Sequence, residues 1–246
     1  MSGKQSAVSS PDCVNNGNQE SSAGVWPRVL PFAAYMGFIG ISSLLFWMAD
    51  HDSEWGHLWE LWSYPVKTAV VAGLLLFFWT RYEELRQPIF VNWREAFVTV
   101  GVGLVVYFFW VRMNWPWGIQ GEMTEYNPFV AGQTVGICLA GIRIFGAAVT
   151  VPIMEELFWR SFLIRYIVQT NFQAVRVGTF TLGSFALTVV LFGLEHNLWV
   201  AGMMAGIAYN GLLYWTGRLW PCIMAHALTN LVLGLHVLAT GEWFWW

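Results

Sequence analysis

Seven stretches of this chain are apolar for long enough to lie across a bilayer, and that pattern restricts the fold more than any other. A membrane-spanning helix needs about 20 mostly apolar residues to cover about 30 Å of hydrocarbon. The candidate spans are 28–48, 66–80, 96–112, 130–156, 177–195, 198–216 and 219–239, the second being short and open to backward extension. Trp47, Trp79, Trp110, Trp215 and Trp220 fall near span ends, where an amphipathic indole prefers the headgroup layer. Hydrophobic residues make up 57% of the 246 and charged residues 11%, against about a quarter charged in a soluble domain, so lipid is the expected solvent. The expected fold is all-α, a polytopic transmembrane bundle of 7–8 helices.

The organisation is that of one domain. The opening "MSGKQSAVSSPDCVNNGNQESSAG" nearly lacks large apolar side chains and holds no secretory signal. Residues 1–27 are expected to be a disordered cytoplasmic tail and 28–246 a single membrane domain. The loop "DHDSEWGHLWELWSYP" has four acids and no Lys or Arg, whereas "RYEELRQPIFVNWR" carries Arg81, Arg86 and Arg94. Arg160, Arg165, Arg176 and Arg218 fall on the same side as that basic loop, which places the amino terminus inside by the positive-inside rule. The net charge of -3 comes without a basic run and argues against a nucleic-acid partner. Cys13, Cys138 and Cys222 form no CxxC pair and say little about redox compartment.

An ionisable side chain inside a span is costly and is by default a functional hypothesis. "VPIMEELFWR" holds Glu155, Glu156 and Arg160. Residues four apart share a helix face, so Glu156 and Arg160 can pair while Glu155 points about 100° away and stays free to act as a general base. "FGLEHNLW" places His196 one turn after Phe192, and "AHALTN" projects His226 and Asn230 from one face. Two histidines, a glutamate and an asparagine can supply a base or metal ligands together with oxyanion donors. Singly, a Glu–Arg pair serves as a structural clamp and a helical histidine as an interhelical hydrogen bond; their joint occurrence favours chemistry. The acids and histidines of "DHDSEWGH" are expected to be a solvated loop, His236 a packing residue, and Gly202 with Gly206 a close-approach scaffold. For the acids to reach His196 and His226, the fourth helix has to continue to about 166, which also sets Arg143 near the outer end to snorkel.

"EELFWR", "FGLEH" and "HALTN", in this order within a polytopic chain, resemble the EExxxR, FxxxH and HxxxN motifs of the CPBP family of intramembrane proteases, that of the CAAX prenyl endopeptidases and bacterial Abi proteins. The resemblance covers about 130–240. The chain as a whole also looks like the CAAX protease-related proteins that accompany bacterial exosortase systems. It implies that Glu155, with His196, activates water, that His226 and Asn230 hold the oxyanion or a metal, and that Glu156 and Arg160 support the geometry. Glu155, His196 and His226 could hold zinc, although there is no HExxH.

The function so implied is an intramembrane endopeptidase acting on a membrane protein or peptide near the cytoplasmic leaflet, in a bacterial cytoplasmic membrane. A non-catalytic immunity or scaffold protein and a proton-coupled transporter are the alternatives. Asn230 favours the hydrolase, because a proton relay prefers titratable groups.

Overall fold

The computed structural model describes residues 12–48, 54–121, 123 and 125–246. All regular structure among them is helical: α1 (Asp12–Met48), α2 (Glu54–Phe77), α3 (Trp93–Trp110), α4 (Gln133–Val168), α5 (Leu182–Leu194), α6 (Trp199–Thr216) and α7 (Leu219–Thr240). Within α4, π turns at Gly146–Thr150 and Leu157–Leu163 alternate with α-helical pieces. Residues 24–45, α3, α4 and α7 are each long and apolar enough to cross a membrane. The chain is an integral membrane protein.

α1 starts at Asp12, well before the expected start at 28, so the helix takes in much of the segment expected as a disordered tail; residues 1–11 lie outside the described residues. A helix already nucleated adds one bond for each residue fixed, and Asp12 to Trp26 contain no proline to stop it. Residues 49–53 of the acidic loop are likewise outside the described residues, and Glu54 onward is helical.

Prolines inside the helices explain two long-range contacts. Proline has no N–H, so it frees the carbonyl four residues before it, and a buried carbonyl needs a partner. Pro31 would free the carbonyl of Pro27, which accepts the Tyr82 hydroxyl at 2.8 Å. Pro65 stands in the same relation to Leu61, whose carbonyl accepts the Tyr126 hydroxyl at 3.2 Å. Asn92 caps α3 by accepting from Glu95 N, Thr181 caps α5 by accepting from Ser184 N, and Gly217 and Gly241 close α6 and α7 at positive φ.

α7 packs against α3, α4 and α6, and α5 packs along α6. At the arginine-rich end of the bundle, Arg28 of α1 is 3% exposed and donates to both carboxylate oxygens of Glu84, at 2.9 and 2.6 Å, and to Ser161 of α4. Arg165 joins the same carboxylate at 3.5 Å. This network ties α1, the connection after α2 and the end of α4.

Candidate active site

α5 has 13 residues and stops at Leu194, so residues 195–198 turn within the bundle before α6 begins. Irregular backbone at that depth is tolerated where it lines a cavity and its polar groups are paired. Gln120 Nε2 donates to the carbonyls of Leu194 (2.7 Å) and His196 (2.9 Å), and Gln120 N donates to Asn197 O at 2.8 Å. The turn carries Glu195 and His196. Gly193 and Gly202 let α5 meet α6 there, since a Cβ on Gly202 would lie 2.9 Å from Gly193 Cα.

α4 brings Glu155, Glu156 and Arg160 into the interior at 4%, 0% and 1% exposure. Glu156 Oε1 accepts from Arg160 Nη1 at 3.1 Å and from His226 Nδ1 at 3.0 Å. Arg160 Nε donates to Asn210 Oδ1 at 3.1 Å, and its guanidinium lies over Phe192. Glu155 takes no part in this network, and its Oε2 is buried without a hydrogen-bond partner. The two adjacent acids thus differ as their helical angles require: one neutralised, the other presented to a cavity of about 360 Å³.

That cavity is lined by Glu155, His196, His226 and Asn230 together. His196 Nδ1 is 2.7 Å from the Phe192 carbonyl, which can only accept, so Nδ1 carries the proton and Nε2 is left as the basic nitrogen. The His226 ring stacks on Tyr209, centroids 5.1 Å apart, and Glu156 holds its Nδ1. Asn230 donates one N–H to the Ala147 carbonyl at 2.8 Å, inside the first π turn, where the helical ladder shifts to i+5.

Glu195 was not among the expected site residues, yet it lines the same cavity and accepts from Trp159 Nε1 at 2.9 Å. It stands beside His196 in "FGLEHNLW", and the rule that flagged Glu155, an acid in an apolar run, applies to it equally. Tyr209 and Asn210, polar groups within the apolar α6, were also passed over. Arg143 lines the cavity, with its guanidinium 4.2 Å from the Tyr64 ring centroid and 4.9 Å from that of Tyr126. His236 bridges Tyr107 and Glu242 away from the site.

The cavity lies away from the arginine-rich connections. Its lining runs from Glu155 and His226 toward Arg143, Met123 and Trp246, and none of the arginine-rich connections contributes to it. Glu155 lies deep in α4 and faces that lining, while Arg28, Glu84 and Ser161 pair with one another at the arginine-rich end. Among the described residues no group of three His, Cys, Asp or Glu is placed to hold a metal ion. Glu155, His196 and His226 do not form such a set as arranged, and no step is derived through a metal.

Residues 138–232 match the family model described as type II CAAX prenyl endopeptidase Rce1-like. They form a CPBP-family domain. No curated protein and no solved structure matches the chain. The CPBP domain contains Glu155, Glu156, Arg160, His196, His226 and Asn230, and its family supports a protease activity toward a membrane-embedded protein. Arg143 belongs to it too, whereas Tyr64, Met123 and the C-terminal tryptophans complete the cavity from outside the domain.

Proposed function

We propose that the protein is an intramembrane endopeptidase that hydrolyses a peptide bond with water activated by Glu155 and His196. The supporting observation is that Glu155, the unpartnered carboxylate, lines one cavity with His196, His226 and Asn230. In this reading the peptide carbonyl carbon is attacked by a water that gives its proton to Glu155 while His196 Nε2 accepts a hydrogen bond from it. The tetrahedral oxyanion takes hydrogen bonds from the second N–H of Asn230 and from Nε2–H of His226 in its protonated form. Collapse breaks the C–N bond, and the proton on Glu155 passes to the leaving amine. Glu156 and Arg160 position His226. Residues 28–246 act as a single membrane domain of seven crossing helices with the amino terminus cytoplasmic, in a bacterial cytoplasmic membrane.

The test is hydrolysis of a panel of membrane peptides by the full chain in lipid vesicles, with products identified by mass spectrometry. Glu155→Gln and His196→Ala are each expected to lower turnover by about 10²–10⁴-fold at unchanged thermal stability. Parent-like cleavage by both would remove the mechanism.

A further inference from the structure

Glu195 lines the cavity of Glu155 and His196 but has no part in the activation of water by those two. Its carboxylate is aimed by α4. Trp159 follows Glu155 by four residues and so projects from the same face, and its Nε1–H donates to Glu195 Oε2 at 2.9 Å. The indole is itself set edge-to-face against Phe158 and Phe192, with centroids 5.0 and 5.8 Å apart. Glu195 is thus fixed against the face that presents Glu155. Of the charged groups around Glu155 it acts on that carboxylate most strongly, ahead of the adjacent Glu156. An indole N–H can only donate, so Oε2 is the accepting oxygen and a proton on this carboxyl sits on Oε1. Among the described residues Oε1 makes no hydrogen bond.

Glu155, Glu156 and Glu195 stand close together, and one cation answers them. Arg160 pairs with Glu156, while neither Glu155 nor Glu195 enters an ion pair among the described residues. Arg143, which lines the cavity too, is twelve residues from Glu155 along α4, about 18 Å at 1.5 Å per residue. Two like charges that face one low-dielectric cavity are costly to ionise together, and a single proton held by the pair relieves the repulsion. A purely structural role does not call for an acid here. The packing of Trp159 requires only an acceptor for its N–H, which a glutamine would supply without the cost of burying a charge.

We propose that Glu195 is the general acid of the reaction, carrying on Oε1 the proton that the leaving nitrogen takes. The role rests on Glu155 being the base. The cycle starts with Glu155 ionised and Glu195 protonated. Water adds to the peptide carbonyl carbon, and as the new C–O bond forms its proton passes to Glu155. The tetrahedral intermediate then collapses: the C–N bond breaks, its electron pair stays on nitrogen, and that nitrogen takes the proton from Glu195. Glu155 is now protonated and Glu195 ionised, and transfer of the proton from one to the other through cavity water restores the start. The proton that Glu155 removes from water therefore reaches the amine by way of Glu195. Base and acid are separate groups on one cavity, so both act in a single turnover without the peptide shifting between them.

The experiment compares two leaving groups on the full chain in lipid vesicles: a peptide that the parent cleaves, and the p-nitrophenyl ester of that peptide's acyl fragment. A nitrophenolate leaves without a proton, whereas an amine needs one. Glu195→Gln keeps the acceptor for Trp159 and removes the acid. It is expected to lower peptide cleavage by about 10²–10³-fold and ester cleavage by less than about ten-fold, whereas Glu155→Gln should lower both alike. Trp159→Phe, which frees Oε2, should raise the ratio of ester to peptide rates by a smaller factor, and has to do so if Glu195→Gln does not fold. Equal losses on the two probes, or parent-like peptide cleavage, in Glu195→Gln would overturn the proposal. The shared proton is read without turnover, as the infrared band of a protonated carboxyl present in the parent and missing when Glu155→Gln and Glu195→Gln are combined. Its absence from the parent would also overturn the proposal. If Glu155→Gln cleaves as the parent does while Glu195→Gln still separates the probes, the base is misassigned and the acid stands; a parent that cleaves neither probe removes both.

Discussion

Arg160 shows how one side chain can hold a site without touching substrate. It is 1% exposed, pairs with Glu156, donates to Asn210 and covers the face of Phe192, so it links α4 to α5 and α6. Replacing a buried ion's partner leaves the other charge uncompensated, whereas replacing both partners removes the problem. Arg160→Met is expected to lower stability by about 3–5 kcal/mol, and Arg160→Met with Glu156→Gln to recover part of that loss, measured by thermal unfolding in detergent. The Glu156–Arg160 pairing could be read in the sequence because a spacing of four fixes the face. That His226 makes a third member was not legible, since 70 residues separate it from Glu156 and only the packing of α7 on α4 brings them together. That Arg143 lines the cavity was not legible for a related reason: distance from a helix end gives depth but not which face turns inward.

At the scale of elements, the meeting of α5 with α6 sets where His196 stands. Gly193 and Gly202 approach until a Cβ on Gly202 would come within 3.2 Å of Gly193 O and 3.3 Å of His196 Nδ1. Backbone cannot swing aside as a flexible side chain can. Gly202→Ala is therefore expected to cost about 1–3 kcal/mol and to lower hydrolysis with it. Gly206→Ala, whose Cβ would meet Phe192 Cδ1 and Val189 Cα at 3.4 Å, is expected to cost less; thermal unfolding and cleavage assays on the two variants separate the cases. Helix ends were largely legible from hydropathy: α3, α6 and α7 fall within a few residues of 96–112, 198–216 and 219–239. The π turns of α4 were not, because a shift to i+5 depends on what packs alongside, here Asn230 on the Ala147 carbonyl.

For the whole molecule, the arginine-rich end acts as the anchor of the bundle and titrates as one. Glu84 lies in the connection between α2 and α3. Burial alone would raise its carboxyl, but the hydrogen bonds and charge of Arg28, with the Ser161 hydroxyl, hold it below the usual carboxylate value. A depressed folded-state pKa means the unfolded chain binds more protons in that window, so the contribution is full above about pH 4.3 and is lost as pH falls through the folded value. Thermal unfolding in detergent between neutral and acid pH is expected to show this loss in the parent and a flatter acid limb in Glu84→Gln. The opposite end is shaped by the brevity of α5. Its 13 residues rise about 20 Å, well under the hydrocarbon thickness, yet Leu187, Val190, Leu191 and Leu194 remain exposed on its flank. If α5 lies across the bilayer, acyl chains against that flank have to shorten or tilt, and local thinning is expected on the side where residues 195–198 sit. A peptide approaching there would leave its hydrocarbon cover before it reached the cavity, which lowers the cost of unwinding it into the extended form that hydrolysis needs.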